Sequence, residues 1–323
     1  MKVFRRLPPA DERRPCALTI GNFDGVHLGH QAVLARLVAN ARERDLPACV
    51  LTFEPHPREY FAQSHASASP SATKDAAAPT VPMRILTERD KLDALADCGI
   101  DHVCIAHFNA SLAAMTAEDF IAGVLQEGLQ ARYLLIGDDF RFGARRRGDF
   151  DMLSAHAANH AFTLERMTTV AHEGERYSSS AVRRALAAGD LAQARALLGR
   201  PYFISGHVIH GRKLGRTLGF PTLNIRVPFD NPAVSGIFIV QVHGLGERPL
   251  PAVASLGTRP AVESQGKLLL EVHVFDFNAS VYGSLVRVEF LERLREERHY
   301  DNLDLLVEQI QLDARAARDH FGI

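Results

Sequence analysis

GNFDGVHLGHQ, residues 21–31, decides how the first half of the chain is read. It follows the apolar run CALTI and leads into LGHQAVLARLVANARERD, where Val33, Leu34, Leu37, Val38 and Ala41 recur at helical spacing. Strand, turn and helix in that order are the unit from which parallel sheets are built. Two histidines, His27 and His30, bracket Leu28–Gly29 where the strand gives way to the helix. Three residues apart, they can share one face of a first helical turn. A zinc site, a capping or packing pair, and a phosphate clamp all suit such a pair. Zinc needs three or four ligands. His56 and nearby carboxylates could add to the count, but the chain has neither HExxH nor a Cys/His cluster. A helix start offers N–H groups and a positive dipole end to a phosphate, and Gly29 lets a nucleotide come close. Imidazole N–H groups would then stabilise charge on a transferring phosphoryl group.

The same grammar continues outward. PACVLTF, HVCIAHF, ARYLLIG and AFTLERM read as strands, and TERDKLDALADCG, TAEDFIAGVLQEGL and the stretch around DMLSAHAAN as helices. Thr116 and Asp119 stand in capping-box positions. Alternating strands and amphipathic helices imply a doubly wound α/β domain with a parallel sheet covered on both faces. Ligands of such sheets bind beyond the carboxyl ends of the strands, where GNFDG, TFEPHP and GDDFRFG all fall. Between Phe61 and Ile85, AQSHASASPSATKDAAAPTVPMR can bury little apolar surface, so a mobile insertion or disordered loop is expected there.

After Gly199 the pattern changes. ISGHVIHG, FPTLNIRV, SGIFIVQVHG, LPAVASLG, KLLLEVHVFDF and SLVRVEFLERL are strand-like and have no helices between them, which predicts an antiparallel barrel or sandwich. A helix, NLDLLVEQIQLDARAARDHF, closes the chain, and SAVRRALAAGDLAQARALLGRPY reads as two short helices broken at Gly189. The seam is placed near Ala187, dividing the chain into 1–187 and 188–323.

The net charge of −1 points to neither nucleic acid nor an anionic membrane, and no apolar run approaches the roughly 18 residues of a membrane span. MKVFRRLPPADERRP has basic residues but no apolar signal core. Cys16, Cys49, Cys98 and Cys104 lack CxxC spacing, and three of them sit in or beside strand-like runs, so reduced buried thiols are expected. A soluble cytoplasmic protein is the resulting expectation.

In the second half, HGRKLGRTLGFPTLNI gathers glycines and three basic residues before a strand. It reads either as a tight hairpin with a solvated basic face or as a phosphate flap. In the flap, backbone N–H groups of residues such as Gly211 and Gly219 form an anion nest assisted by Lys213 or Arg216. It lacks GxxxxGK[ST], so it is no P-loop. Thr222 and Asn224, two apart in an extended segment, point to one side and offer hard oxygens to Mg²⁺, or are ordinary polar strand residues. In LLLEVHVFDF, alternation puts Leu269, Glu271, His273 and Phe275 on one face. Glu271 is therefore either exposed on an open face or kept for chemistry, where partial desolvation would make it a better base.

GNFDGVHLGHQ resembles the signature of the HxGH nucleotidyltransferase superfamily. TFEPHP, GDDFRFG and SSSAVRRAL resemble the other motifs of the adenylyltransferase module of bacterial bifunctional riboflavin kinase/FAD synthetases. That resemblance implies attack of the FMN phosphate on the α-phosphate of ATP, giving FAD and pyrophosphate. It implies that His27, Gly29 and His30 meet ATP phosphates and that Asn22, Phe23 and Asp24 line the nucleotide pocket. Ser179, Ser180 and Arg183 would form a late phosphate-binding segment, with Ser180 standing where the family usually has Thr. Asp138 and Asp139 become candidates for flavin-side contacts, or remain exposed turn carboxylates.

GFPTLNI resembles the GFPTANI of riboflavin kinase, and LEVHVFDFNASVYGSLVRVEFLERLREERHYDNLDLLVEQI resembles that family's C-terminal signature. This implies a six-stranded antiparallel barrel. Thr222 and Asn224 would help hold Mg²⁺ and ATP phosphates, with Gly211, Lys213 and Gly219 on the nucleotide side. Arg259 would lie on the flavin side. Glu271 would be the base that deprotonates the ribityl 5′-hydroxyl as it attacks the γ-phosphate. Leu223, Ser255 and Ala261 replace the usual Ala, Asn and Thr, so the segment from Ser255 to Ala261 is expected to be tuned differently.

The resemblance runs from about Ala17 to Ile310. It implies a bifunctional enzyme converting riboflavin to FMN and FMN to FAD with ATP. The alternatives are one retained activity beside a flavin-binding regulatory half, and a different HxGH transferase, which the flavokinase-like half argues against.

Overall fold

The computed structural model describes residues 1–68, 81–159, 162–167, 171–172, 175–211, 215, 218–229, 231–257, 268–300 and 302–323. They cluster into two compact units: Met1–Pro82 with Lys91–Tyr177, and Met83–Asp90 with Ser178–Ile323.

In the first unit the chain runs β1 (Lys2–Phe4), β2 (Cys16–Ile20), α1 (Leu28–Glu43), β3 (Ala48–Glu54) and α2 (Pro57–Ala68). Helix α3 (Glu88–Asp97), which belongs to this unit from Lys91 onward, precedes β4 (His102–His107), α4 (Ala110–Ala114), α5 (Ala117–Asp119), β5 (Ala131–Gly137), α6 (Phe150–Asn159) and β6 (Thr163–Met167). The strands lie in the order β1-β4-β3-β2-β5-β6, and their pairings are parallel. All five residues of β2 are buried, as expected for a central strand covered on both faces. Cys16, Leu18 and Ile20 join one core with Leu134, Ile136 and the segment Phe120–Gly128. Helix α1 packs on β2, β3 and β5 with Leu34, Leu37 and Ala41 buried. The chain steps from β2 outward through β3 and β4, then returns to place β5 on the other side of β2. The carboxyl ends of β3, β2 and β5, which carry TFEPHP, GNFDG and GDDFRFG, are therefore neighbours at the point where the strand order reverses.

Three local expectations change. The helix read from TAEDFIAGVLQEGL is capped as expected, Thr116 accepting from the Asp119 N–H, but beyond Asp119 it widens into a π-helix over Phe120–Gly128. The wider turn buries Phe120, Ile121, Val124 and Leu125 together, and the Leu129 N–H reaches back to the Val124 carbonyl at 2.9 Å. The segment read as an insertion is helical over its first part, because α2 runs to Ala68; its stretch 69–80 lies outside the described residues. Strand β1, exposed and short, pairs with β4 at the sheet edge and had no sequence signal. The cysteines are free thiols, with Cys16, Cys49 and Cys104 buried and Cys98 half-buried.

The second unit opens with β7 and β8 already behind it: that two-stranded hairpin, Ala171–His172 with Glu175–Arg176, belongs to the first. Helices α7 (Ser179–Ala188) and α8 (Leu191–Leu198) are separated at Gly189, whose φ of +73° forms a left-handed cap. The six strands β9 (Tyr202–Ile209), β10 (Leu223–Arg226), β11 (Gly236–His243), β12 (Leu250–Leu256), β13 (Leu269–Val274) and β14 (Leu285–Arg295) form a closed antiparallel barrel ordered β10-β13-β12-β11-β14-β9. Alternation sends Leu270, Val272 and Val274 inward with Phe238, Val240, Val288 and Phe290. Outside, Ile237, Ile239 and Val253 are covered by Ala314 and Ala317 of α9 (Leu303–Phe321). Asp313 of that helix accepts from Arg295 Nε at 2.9 Å and Nη2 at 2.7 Å, and from Gln309 at 3.0 Å, which fixes the helix to β14.

Candidate active sites

The first site is built where β2 stops. The Gly21 N–H still pairs with the Leu51 carbonyl at 3.0 Å, and Thr52 Oγ1 donates to the Asn22 carbonyl at 3.3 Å. Beyond that the backbone turns sharply, with φ of +50° at Phe23, +92° at Gly25 and +39° at Val26. A positive φ is costly for Phe and more so for β-branched Val, and burial of both side chains holds them there. The turn ends at His27, which is the N-cap of α1 rather than part of its first turn. Its Nδ1 accepts from the His30 N–H at 3.3 Å. With Nδ1 used as an acceptor, the proton of the neutral ring sits on Nε2. The His30 ring stacks on it, centroids 3.7 Å apart and planes within 18°, and Phe23 leans on His30 at 5.0 Å. Capping and phosphate contact are thus not alternatives for His27: the cap spends one nitrogen and aims the other.

Gly29 is required by this stack. A Cβ there would meet the Cβ of Tyr177 at 3.0 Å and the His27 ring at 3.2 Å. Asp24 is buried in the same turn, and the Asn22 Oδ1 is buried with no hydrogen-bond partner among the described residues. An orphaned acceptor at the mouth of a helix start is a place for a donor on a ligand. His56 Nδ1 accepts from the Arg58 N–H at 3.1 Å, and among the described residues no group of three or more His, Cys, Asp or Glu is placed to hold a metal. Asp139 is mostly exposed and accepts from Arg176 at 2.8 Å, while Asp138 faces Arg166 at 3.9 Å, so both also serve in surface ion pairs. Sequence reading missed three residues here: Tyr177, Thr52 and Lys91. The last is a buried cation whose Nζ lies 3.5 Å from Thr52 Oγ1 and 3.8 Å from Glu54 Oε2.

In the second unit, Ser178 caps α7 by accepting from the Ala181 N–H, which puts Ser179 and Ser180 in its first turn. Arg183 donates from Nε to the Met83 carbonyl at 2.6 Å. On the barrel, register brings together what sequence leaves far apart: Asn224, Glu271 and Ser255 are successive cross-strand partners on β10, β13 and β12. Directly opposed residues of antiparallel strands share a face, here the outer one. Glu271 stands exposed on it, and Asn224 is buried. The Asn224 amide donates from Nδ2 to the Thr222 carbonyl at 3.4 Å. A Cβ at Gly211 would sit 2.5 Å from Asn224 Oδ1, so the glycine forms a cradle against that oxygen. His273, on the Glu271 face, lies with Nδ1 2.8 Å from the Pro221 carbonyl and ties the FPT segment to β13. Among the described residues, nothing lies within 4 Å of a Cβ built at Gly219, whose φ is +87°. Lys213, Arg216, Arg259 and Ala261 lie outside the described residues.

A doubly wound sheet with a histidine-capped helix at its switch point is followed in the chain by a closed barrel with an acid on its outer face. Residues 10–181 match the family model for FAD synthetase and residues 198–321 the one for riboflavin kinase. The chain is 44% identical over 325 residues to the bifunctional riboflavin kinase/FMN adenylyltransferase of Escherichia coli K12, covering 100% of this chain and 99% of that protein. It is 42% identical to the enzymes of the same description from Haemophilus influenzae, over 100% of both, and Pseudomonas fluorescens, over 95% and 93%. A solved structure described as a macrolide-efflux protein from Streptococcus pneumoniae shares the fold with a TM-score of 0.74 at 27% identity, over 98% of each chain. The chain belongs to the family of bifunctional riboflavin kinase/FMN adenylyltransferases. Among the described residues no helix is long and apolar enough to cross a membrane.

Proposed function

We propose that the chain phosphorylates riboflavin with ATP on its barrel and adenylylates the resulting FMN with a second ATP at the carboxyl end of its parallel sheet. The observation that carries this reading is the presence of both family domains in one chain with the HLGH cap and the Glu271 row intact. The functional halves are taken as 1–187 and 188–323, and the two family matches fall inside them.

For FMN formation, Glu271 takes the proton of the ribityl 5′-hydroxyl as that oxygen attacks the γ-phosphorus of ATP, and ADP leaves. Thr222 and Asn224 suit Mg²⁺, since a hydroxyl and a buried amide oxygen held in the Gly211 cradle are hard neutral donors, and such an ion takes its remaining ligands from phosphates and water. When bound, Mg²⁺ supplies charge neutralisation on the phosphates. Gly211, Lys213 and Gly219 are assigned to the nucleotide and Arg259 to the flavin by motif.

For FAD formation, an oxygen of the FMN phosphate attacks the α-phosphorus of ATP and pyrophosphate leaves. The nucleophile is already an anion, so no general base is needed, and positioning with charge stabilisation carries the rate. His27 Nε2–H and the stacked His30 ring donate to phosphate oxygens beside the α1 start, and Asn22, Phe23, Asp24 and Gly29 shape the pocket. Ser179, Ser180 and Arg183 are assigned to phosphate oxygens, and Asp138 and Asp139 to the flavin side, by motif. A cytoplasmic location is part of this reading. Incubation with riboflavin, ATP and Mg²⁺ followed by chromatography tests it: FAD is expected, FMN alone would leave one activity, and no flavin product would overturn both.

A further inference from the structure

Lys91 is a buried charge of the first unit that the roles above do not use. Its side chain is 5% exposed. An ammonium at that depth stays charged only with acceptors and negative charge around it. Two of those are Thr52 and Glu54, at the carboxyl end of β3. The direction of the hydrogen bonds follows from the chemistry. An ammonium can only donate, and a hydroxyl has one proton and two lone pairs. Thr52 gives its proton to the Asn22 carbonyl, so it accepts from Lys91. The chain Lys91 Nζ–H to Thr52 Oγ1–H to Asn22 carbonyl therefore ends on the first residue of the turn that bends through Phe23, Gly25 and Val26 and delivers His27 as the cap of α1. That turn holds three residues at positive φ, and the Asn22 side-chain oxygen has no partner among the described residues, so the tie through its backbone carbonyl matters to its position.

We propose that Lys91 is a positioning residue for FAD synthesis. Its charge orients the Thr52 hydroxyl onto Asn22 and so sets the turn that aims His27 and His30. It also neutralises Glu54, whose carboxylate is 30% exposed at the strand end and would otherwise repel ATP phosphates. The proposal rests on the reading that the His27–His30 stack serves adenylyl transfer.

The test measures FMN-to-FAD turnover, KM for ATP, riboflavin-to-FMN turnover and thermal stability in the same full-length proteins. Lys91→Met keeps the volume and removes the charge. It is expected to lower kcat for FAD formation about 30-fold and raise KM for ATP, because a small displacement of charge-stabilising groups is enough for losses of that order. Its FMN formation is expected to stay within about twofold of wild type, which reports that the chain is folded. Thr52→Val should reproduce the loss in kcat, and the Lys91→Met/Thr52→Val double variant should be no slower than the slower single, because the two act in series. Adding Glu54→Gln to Lys91→Met should restore KM but not kcat. FAD formation in Lys91→Met within about threefold of wild type, an intact Thr52→Val, or losses that multiply in the double variant would each overturn the proposal. If Lys91→Met loses FMN formation as well, Thr52→Val alone decides. His30→Ala, run alongside, separates the two levels. Full FAD synthesis in it overturns the site reading itself, whereas a dead His30→Ala beside an active Lys91→Met overturns the role of Lys91 alone.

Discussion

Gly29→Ala separates folding from function at the histidine stack. The new methyl would lie 3.0 Å from the Tyr177 Cβ and 3.2 Å from the His27 ring, inside the roughly 3.5–4.0 Å at which carbon contacts are favourable. Something must retreat by a few tenths of an ångström. Tyr177 meets the methyl through its Cβ, which moves only with its backbone, whereas the imidazole can rotate away. Replacing glycine near a helix start gains part of the roughly 1 kcal/mol that separates Gly from Ala in helices. Crowding costs on the order of 1–3 kcal/mol. The two nearly offset, so melting should change little. The His27 ring, however, is displaced from both its cap to the His30 N–H and its stack on His30. FAD formation from FMN and ATP is expected to fall about 10- to 100-fold, as for other sub-ångström misplacements of reacting groups. FMN formation by the barrel should be unchanged. Chromatographic assays of both steps, with thermal melts of the same protein, measure this. Wild-type FAD synthesis in a folded Gly29→Ala protein would refute the claim that ring placement carries the rate.

Three further outcomes follow from packing and charge. Asp313→Ala leaves Arg295, paired at 2.7 and 2.9 Å, as a partly buried cation without its carboxylate, holding the Glu296 carbonyl at 3.1 Å, and should lower barrel stability in urea by about 3 kcal/mol; a loss under about 1 kcal/mol would contradict the assignment of that pair as the anchor of α9. Glu165 is held below its ordinary 4.5 by its hydrogen bond from Arg36 and, against the opposing effect of burial, by the Tyr133 hydroxyl as well. A lowered folded pKa contributes stability above the unfolded value that is lost as pH falls through the folded one. The urea midpoint of wild type over Glu165→Gln should therefore be fully displaced above about pH 4.5 and converge in stronger acid, and a gap independent of pH would contradict this. The hydrogen bond with Cys16, then burial, pushes the Cys49 thiol up, and burial pushes Cys104 up to about 12, so a thiol reagent at about pH 8 should label the native chain rapidly only at half-buried Cys98. Rapid labelling of Cys49 or Cys104 before unfolding would show that the β2–β4 core opens.

The fold was legible where burial follows the period of one element. Val33, Leu34, Leu37 and Ala41 mark α1, and the alternation of Leu270, Val272 and Val274 marks a barrel strand, because both patterns are local. What stayed hidden depends on partners distant in the chain. Strand β1 has no pattern of its own and exists through its pairing with β4. The π-helix after Asp119 has the apolar content of an ordinary helix, and only packing against the sheet selects the wider turn. At the sites, motif spacing marked His27 and His30 but not that His27 is a cap, since capping depends on the backbone turn before it. Lys91 has no sequence signal of its own, because its burial beside Thr52 depends on a strand 39 residues away. Ser255 departs from the flavokinase pattern, and its place beside Glu271 follows only from strand register.

The central claim is that two separate sites work in sequence, proton transfer belonging to Glu271 and phosphate stabilisation to His27 and His30. The most direct measurement supplies riboflavin, ATP and Mg²⁺ to Glu271→Ala and to His30→Ala and separates the flavins with time. His30→Ala should accumulate FMN and make no FAD. Glu271→Ala should leave riboflavin untouched yet convert added FMN to FAD. A folded variant of either kind that loses both activities would contradict the account.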